Sequence, residues 1–138
     1  MAELPVFVEK PNVGFGTLTT GSTAYQATDA NRNAIPNAFK LVFEAGPAGS
    51  LLYNARITPL GTNVATVIRL AIYNPSTPTI SPVIYEQAFA ATTASNTAAL
   101  ATSEVQFNMK LQAGFKLYAW SSVDVSAGYA VCVLGGDF

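Results

Sequence analysis

The sequence predicts an all-β chain folded as an antiparallel β-sandwich, and three observations carry that prediction. Apolar and polar residues alternate from Glu104 to Leu111, where Val105, Phe107, Met109 and Leu111 interleave with Glu104, Gln106, Asn108 and Lys110. That is the two-residue period of a strand with one buried face. Segments of this kind recur between clusters of Gly, Pro, Asn and Ser, the residues that turns demand. Nothing sustains a helical period across three turns.

Taken in order, residues 1–12 are assigned to an N-terminal arm and 13–138 to a single sandwich domain. Gly14 to Thr28, rich in Gly, Thr and Ser with Leu18 and Tyr25 as apolar points, fits one or two irregular edge strands. Phe39 to Glu44 and Leu51 to Thr58 flank the Gly46-Pro-Ala-Gly49 turn and are expected to form a hairpin. Val64 to Tyr73 reads as a long strand with Val64, Ile68, Leu70 and Ile72 on one face and Arg69 on the other. Residues 74–82 contain Pro75, Pro78 and Pro82, which excludes an interior strand or helix, so they form a loop leading into Val83 to Phe89. Ala90 to Ser103 is low in complexity, and a short helical turn at Thr97 to Ala101 competes there with loop. The alternating segments Glu104 to Leu111 and Phe115 to Ser121 are expected to pair as a second hairpin. Tyr129 to Leu134 is apolar on both faces and is expected at a central position. About eight strands in this length suggest two packed sheets, with jelly-roll wiring preferred over an immunoglobulin-like order.

Composition bounds the function. The 138 residues suit one domain that closes its core without staples. Half of the residues are hydrophobic and only 11% are charged, against roughly 25% in an average soluble domain. A surface with so few charges to keep copies apart favours burial against neighbours, so a homo-oligomer is expected. The net charge is −1, and Lys and Arg are scattered singly from Lys10 to Lys116, which argues against nucleic acid as a partner. No apolar run suits a signal peptide or a membrane span, so synthesis in the cytoplasm and no membrane partner are expected. Cys132, the one cysteine, cannot form an internal disulfide and reads as a small buried hydrophobe.

The search for chemistry assigns no catalytic, metal or cofactor residue, and the chain is expected not to be an enzyme. Histidine is absent, which removes Ser-His-Asp and Cys-His nucleophiles and His-liganded zinc. A glycosidase needs only two carboxylates. Glu44, Glu86, Glu104 and Asp124 all fall at outward strand positions or turns, where solvated surface is the better account, and no spacing singles out a pair. Asp29, Asn31 and Asn33 have the spacing that opens a calcium loop, but Ala34 stands where the turn glycine belongs and Lys40 where the bidentate glutamate belongs. Gly135-Gly-Asp137 matches the Gly-Gly-Asp core of nucleotide cyclases without the domain that gives it meaning. Tyr118 and Trp120 share a strand face with Lys116, opposite Phe115 and Leu117. Core packing, subunit contact and sugar stacking are the three readings of that pair, and all stay open.

The arm Leu4-Pro-Val-Phe-Val-Glu-Lys-Pro11, the Ala/Thr/Gly-rich strands and the abrupt close Gly135-Gly-Asp-Phe138 together resemble small virion proteins of tailed bacteriophages. The resemblance spans the chain in layout. It implies a head decoration, or cement, protein: a β-sandwich, often trimeric, made in the host cytoplasm, that sits on the capsid and bridges subunits of the major capsid protein without doing chemistry. Leu4, Val6, Phe7 and Val8 of the arm and the terminal Phe138 are the apolar chain ends expected to reach a neighbour, joined as partner-binding candidates by Tyr118 and Trp120. The rival reading is a tail-associated receptor- or glycan-binding module using Trp120, Tyr118 or the loop from Pro75 to Pro82.

Overall fold

A computed structural model describes residues 8–24, 38–76 and 83–138. Within them the chain forms eight strands and no helix: β1 (Lys10–Leu18), β2 (Lys40–Glu44), β3 (Ser50–Pro59), β4 (Thr66–Tyr73), β5 (Val83–Phe89), β6 (Ser103–Leu111), β7 (Lys116–Ser121) and β8 (Tyr129–Asp137). They make two four-stranded antiparallel sheets, sheet A in the order β1-β8-β3-β6 and sheet B in the order β2-β7-β4-β5. This is the wiring of an eight-stranded jelly roll. An immunoglobulin-like order would keep the first two strands in one sheet; here they lie in different ones.

Both expected hairpins are thereby corrected. β2 pairs with β7 rather than with β3, and β6 pairs with β3 rather than with β7. The turns at Gly46–Gly49 and Gln112–Gly114 carry the chain from one sheet to the other. Only β4 and β5 are both consecutive and paired. β8 is central, between β1 and β3, as its two-sided apolar character predicts. Thr97 to Ala101 is not helical.

The core fills the space between the sheets. Sheet A contributes Leu18, Leu52, Ala55, Ile57, Val105, Val131 and Val133, and sheet B contributes Val42, Phe43, Ile68, Leu70, Leu117 and Ala119. Each large aliphatic or aromatic side chain taken wholly out of water contributes about 1.5–3 kcal/mol. The sandwich closes at its β1/β2 edge because β1 turns glycines inward. A methyl group on Gly14 would overlap the carbonyl oxygen of Val42, and one on Gly135 would meet the Phe43 ring at 2.9 Å.

A smaller cluster lies on the outer side of sheet B. There Trp120 is fully buried with Phe39, Ala38 and Ala71. Its ring stacks on Phe39 at 4.3 Å between centroids, and its indole N–H donates to the carbonyl of Ala24 at 3.0 Å.

Candidate interaction surfaces

Strand register fixes the outer face of sheet A row by row. Val13 lies beside Leu134, which lies beside Asn54 and then Gln106; Phe15 lies beside Cys132, then Arg56, then Glu104. The face is therefore divided. The β1–β8 half carries Val13, Phe15, Cys132 and Leu134, with no charge among them. The β3–β6 half carries Asn54, Gln106 and the Arg56–Glu104 ion pair, 3.7 Å apart. Val13 is 58% exposed and Phe15 65%. β1 inverts the usual arrangement of a half-buried strand, since Gly14 and Gly16 face inward while Val13 and Phe15 face out. A shallow groove of about 250 Å³ runs along this edge between β1 and β2, lined by Val13, Phe15, Leu41 and their neighbours.

A second exposed apolar set lies on the loops at one end of the sandwich. Leu60 and Val64 stand on the β3–β4 loop, and Val123 on the β7–β8 loop. Asn63 ties these loops together. Its side-chain oxygen accepts the backbone N–H groups of Ala127 and Gly128, at 3.1 and 3.0 Å. Its amide nitrogen donates to the Gly128 carbonyl at 2.9 Å. Thr92 joins the same knot, donating its hydroxyl to the Gly61 carbonyl at 2.7 Å. The apolar side chains thus stand on a braced platform.

The residues singled out from the sequence are placed as follows. Leu4, Val6 and Phe7 lie outside the described residues, as do Asp29, Asn31 and Asn33. Val8 packs against Gly136 on the outer side of sheet A, and Lys10 to Asn12 of the expected arm already pair with β8. Phe138 is half-buried: its backbone N–H donates to the Gly49 carbonyl, and the Lys110 ammonium sits 5.0 Å from its ring centroid. Trp120 is enclosed, at 0% exposure. Although it does occupy the face opposite Leu117, that face is covered by Phe39. Tyr118, beside it, is half-buried and meets Tyr73 edge-on at 5.7 Å. Burial, with Tyr73 and Glu44 nearby, pushes its hydroxyl above the ordinary tyrosine value. Cys132 points outward and is half-buried, because Val131 and Val133 take the inward positions of β8.

The carboxylates stand on separate elements with local partners. Glu86 accepts from the buried Arg69 at 3.0 Å, Glu104 accepts from Gln106 at 2.6 Å, and Asp124 accepts the Gly21 N–H at 2.7 Å. Glu44 is exposed at the end of β2. Among the described residues no three His, Cys, Asp or Glu side chains gather as a metal site would require. Among the described residues the most heavily bonded carboxylate is Asp137, which the sequence marked only as part of its Gly-Gly-Asp run. It accepts from the Ser50 hydroxyl at 2.5 Å and the Asn12 amide at 2.8 Å. Those hydrogen bonds, the one from Ser50 foremost, hold its carboxyl below the usual aspartate value.

Fold and surface together define an eight-stranded jelly-roll module with two separate exposed apolar surfaces, one on sheet A and one on the loops. No family model and no curated protein matches the chain. Among solved structures it is similar to the cyanophage Pam1 capsid asymmetric unit, at 17% identity and a TM-score of 0.44, over 100% of this chain and 92% of that one. It is also similar to a structure of infectious bursal disease virus Gx strain, at 9% identity and a TM-score of 0.31, over 97% of this chain and 36% of that one.

Proposed function

We propose that this chain is a structural virion protein of the decoration type, which binds an assembled phage head and stabilises it by bridging capsomers. The observation that carries the reading is the pair of apolar surfaces at separate places on one sandwich. A clamp needs two contacts, and neither surface is used by the chain's own core. The loop end, with Leu60, Val64 and Val123 exposed at 49%, 57% and 43%, is the surface assigned to the major capsid protein. Sheet A is left for association between copies. The resemblance in layout to small phage virion proteins points the same way, and residues 1–7, with Leu4, Val6 and Phe7, would add a further contact to the shell. Each contact adds modest affinity, and several engaged at once multiply it.

The test is co-sedimentation of the purified protein with heads that lack it. Wild type is expected to pellet with the shell, and Val64→Lys combined with Val123→Lys is expected to weaken binding about a hundredfold or more. Undiminished binding by the double variant sinks the assignment of the loop end. Failure of the wild type to bind any head, with binding to tails instead, sinks the decoration reading.

A further inference from the structure

We propose that the β1–β8 seam of sheet A is the surface on which a second copy of this chain docks, face to face about a two-fold axis. The inference rests on the bridging role above only in supposing that copies associate, and it is tested on isolated protein, so either reading can fail alone.

Three observations carry it. First, β1 turns Gly14 and Gly16 to the core and Val13 and Phe15 to the outside, at 58% and 65% exposure, so most of the apolar surface at these positions is left in water in the monomer. Second, the seam is self-compatible. Val13, Phe15, Cys132 and Leu134 carry no charge, so like can meet like without the repulsion that penalises a charged patch against its own copy. A two-fold contact requires that property, because the same surface supplies both sides. Third, the area suffices. Four strands at about 4.8 Å and nine residues at about 3.4 Å give a face of roughly 600 Å². Two such faces approach roughly 1,200 Å², above the roughly 1,000 Å² that separates a specific interface from incidental contact. Two twisted sheets stack face to face about 10 Å apart with strands inclined by about 30°. With the two-fold axis running across the strands, that arrangement lays each seam on the seam of its copy and the polar β3–β6 half, with Arg56 and Glu104, to one side of it.

The experiment is sedimentation equilibrium of the full chain from about 5 to about 200 µM. Wild type is expected to be a dimer at the upper end. Val13→Lys with Phe15→Lys is expected to be monomeric with an unchanged far-UV circular dichroism spectrum, a loss in affinity of about a hundredfold or more. Val123→Lys, an equivalent change at the loop end, is expected to remain dimeric. If the double variant loses its spectrum, Phe15→Gln alone, at a side chain already mostly in water, decides by the same measurement. A monomeric or trimeric wild type, a dimer that survives the seam variants, or equal loss in Val123→Lys overturns the proposal.

Discussion

Asn63 makes four side-chain hydrogen bonds while only 4% exposed, and all four go to backbone groups of Gly61, Ala127 and Gly128. Removing it strands buried backbone groups without partners, which costs more than the bonds themselves contribute. Asn63→Ala is expected to lower stability by about 2–4 kcal/mol in urea denaturation. Asp137 lends itself to a titration. Its carboxyl is held below the ordinary aspartate value by Ser50 and Asn12, so its stabilising effect is complete above the unfolded value and is lost as pH falls through the folded one. Asp137→Asn is expected to cost about 1 kcal/mol at pH 7, a part-buried network being partly screened. Melting curves of the two proteins should converge well below pH 3.8; a gap that persists there excludes the carboxylate as its cause. Neither network could be found from residue order, because the partners of Asn63 and Asp137 lie up to 125 positions away.

Among the elements, β1 shows how far periodicity reaches. Alternation within Val13-Gly-Phe-Gly16 is plain to read, but the larger side chains would ordinarily be assigned to the core. The structure does the reverse, because β2 comes so close that Gly14 meets the Val42 carbonyl. Gly14→Ala is therefore expected to cost more than about 3 kcal/mol, since backbone must move. Gly16→Ala meets the Val42 side chain at 3.0 Å and should be milder; melting temperatures of both, in that order, check the packing. The strand pairings show the same limit. Period two assigns each residue to a face without naming the strand beside it, so β2–β3 and β6–β7 read as hairpins when they are crossings between sheets. On β7 the faces of Trp120 and Leu117 were legible, but the cover supplied by Phe39 was not, since it comes from a residue 81 positions away.

At the scale of the molecule, each sheet draws strands from both halves of the chain, and β1 pairs with β8 across almost its full length. Neither sheet can form before distant segments meet, and neither has an independent core, so unfolding is expected to be a single cooperative transition. Trp120, the only tryptophan in the sequence and fully buried, reports on sheet B. Its fluorescence and far-UV circular dichroism should give coincident urea curves, and separated curves would show the sheets to be independent.

Sequence alone determined the class, most of the strand positions and the central place of β8, because alternation, turn residues and two-sided apolarity are local properties written along the chain. It also placed Tyr118 and Trp120 on one face. Only the tertiary structure decided which sheet each strand joins, that Trp120 is enclosed, that Cys132 faces outward, and that Val13 and Phe15 do so as well. The reason is physical: period two tells a residue which side of its strand it occupies, whereas exposure depends on what the other sheet and the covering segments bring to that side.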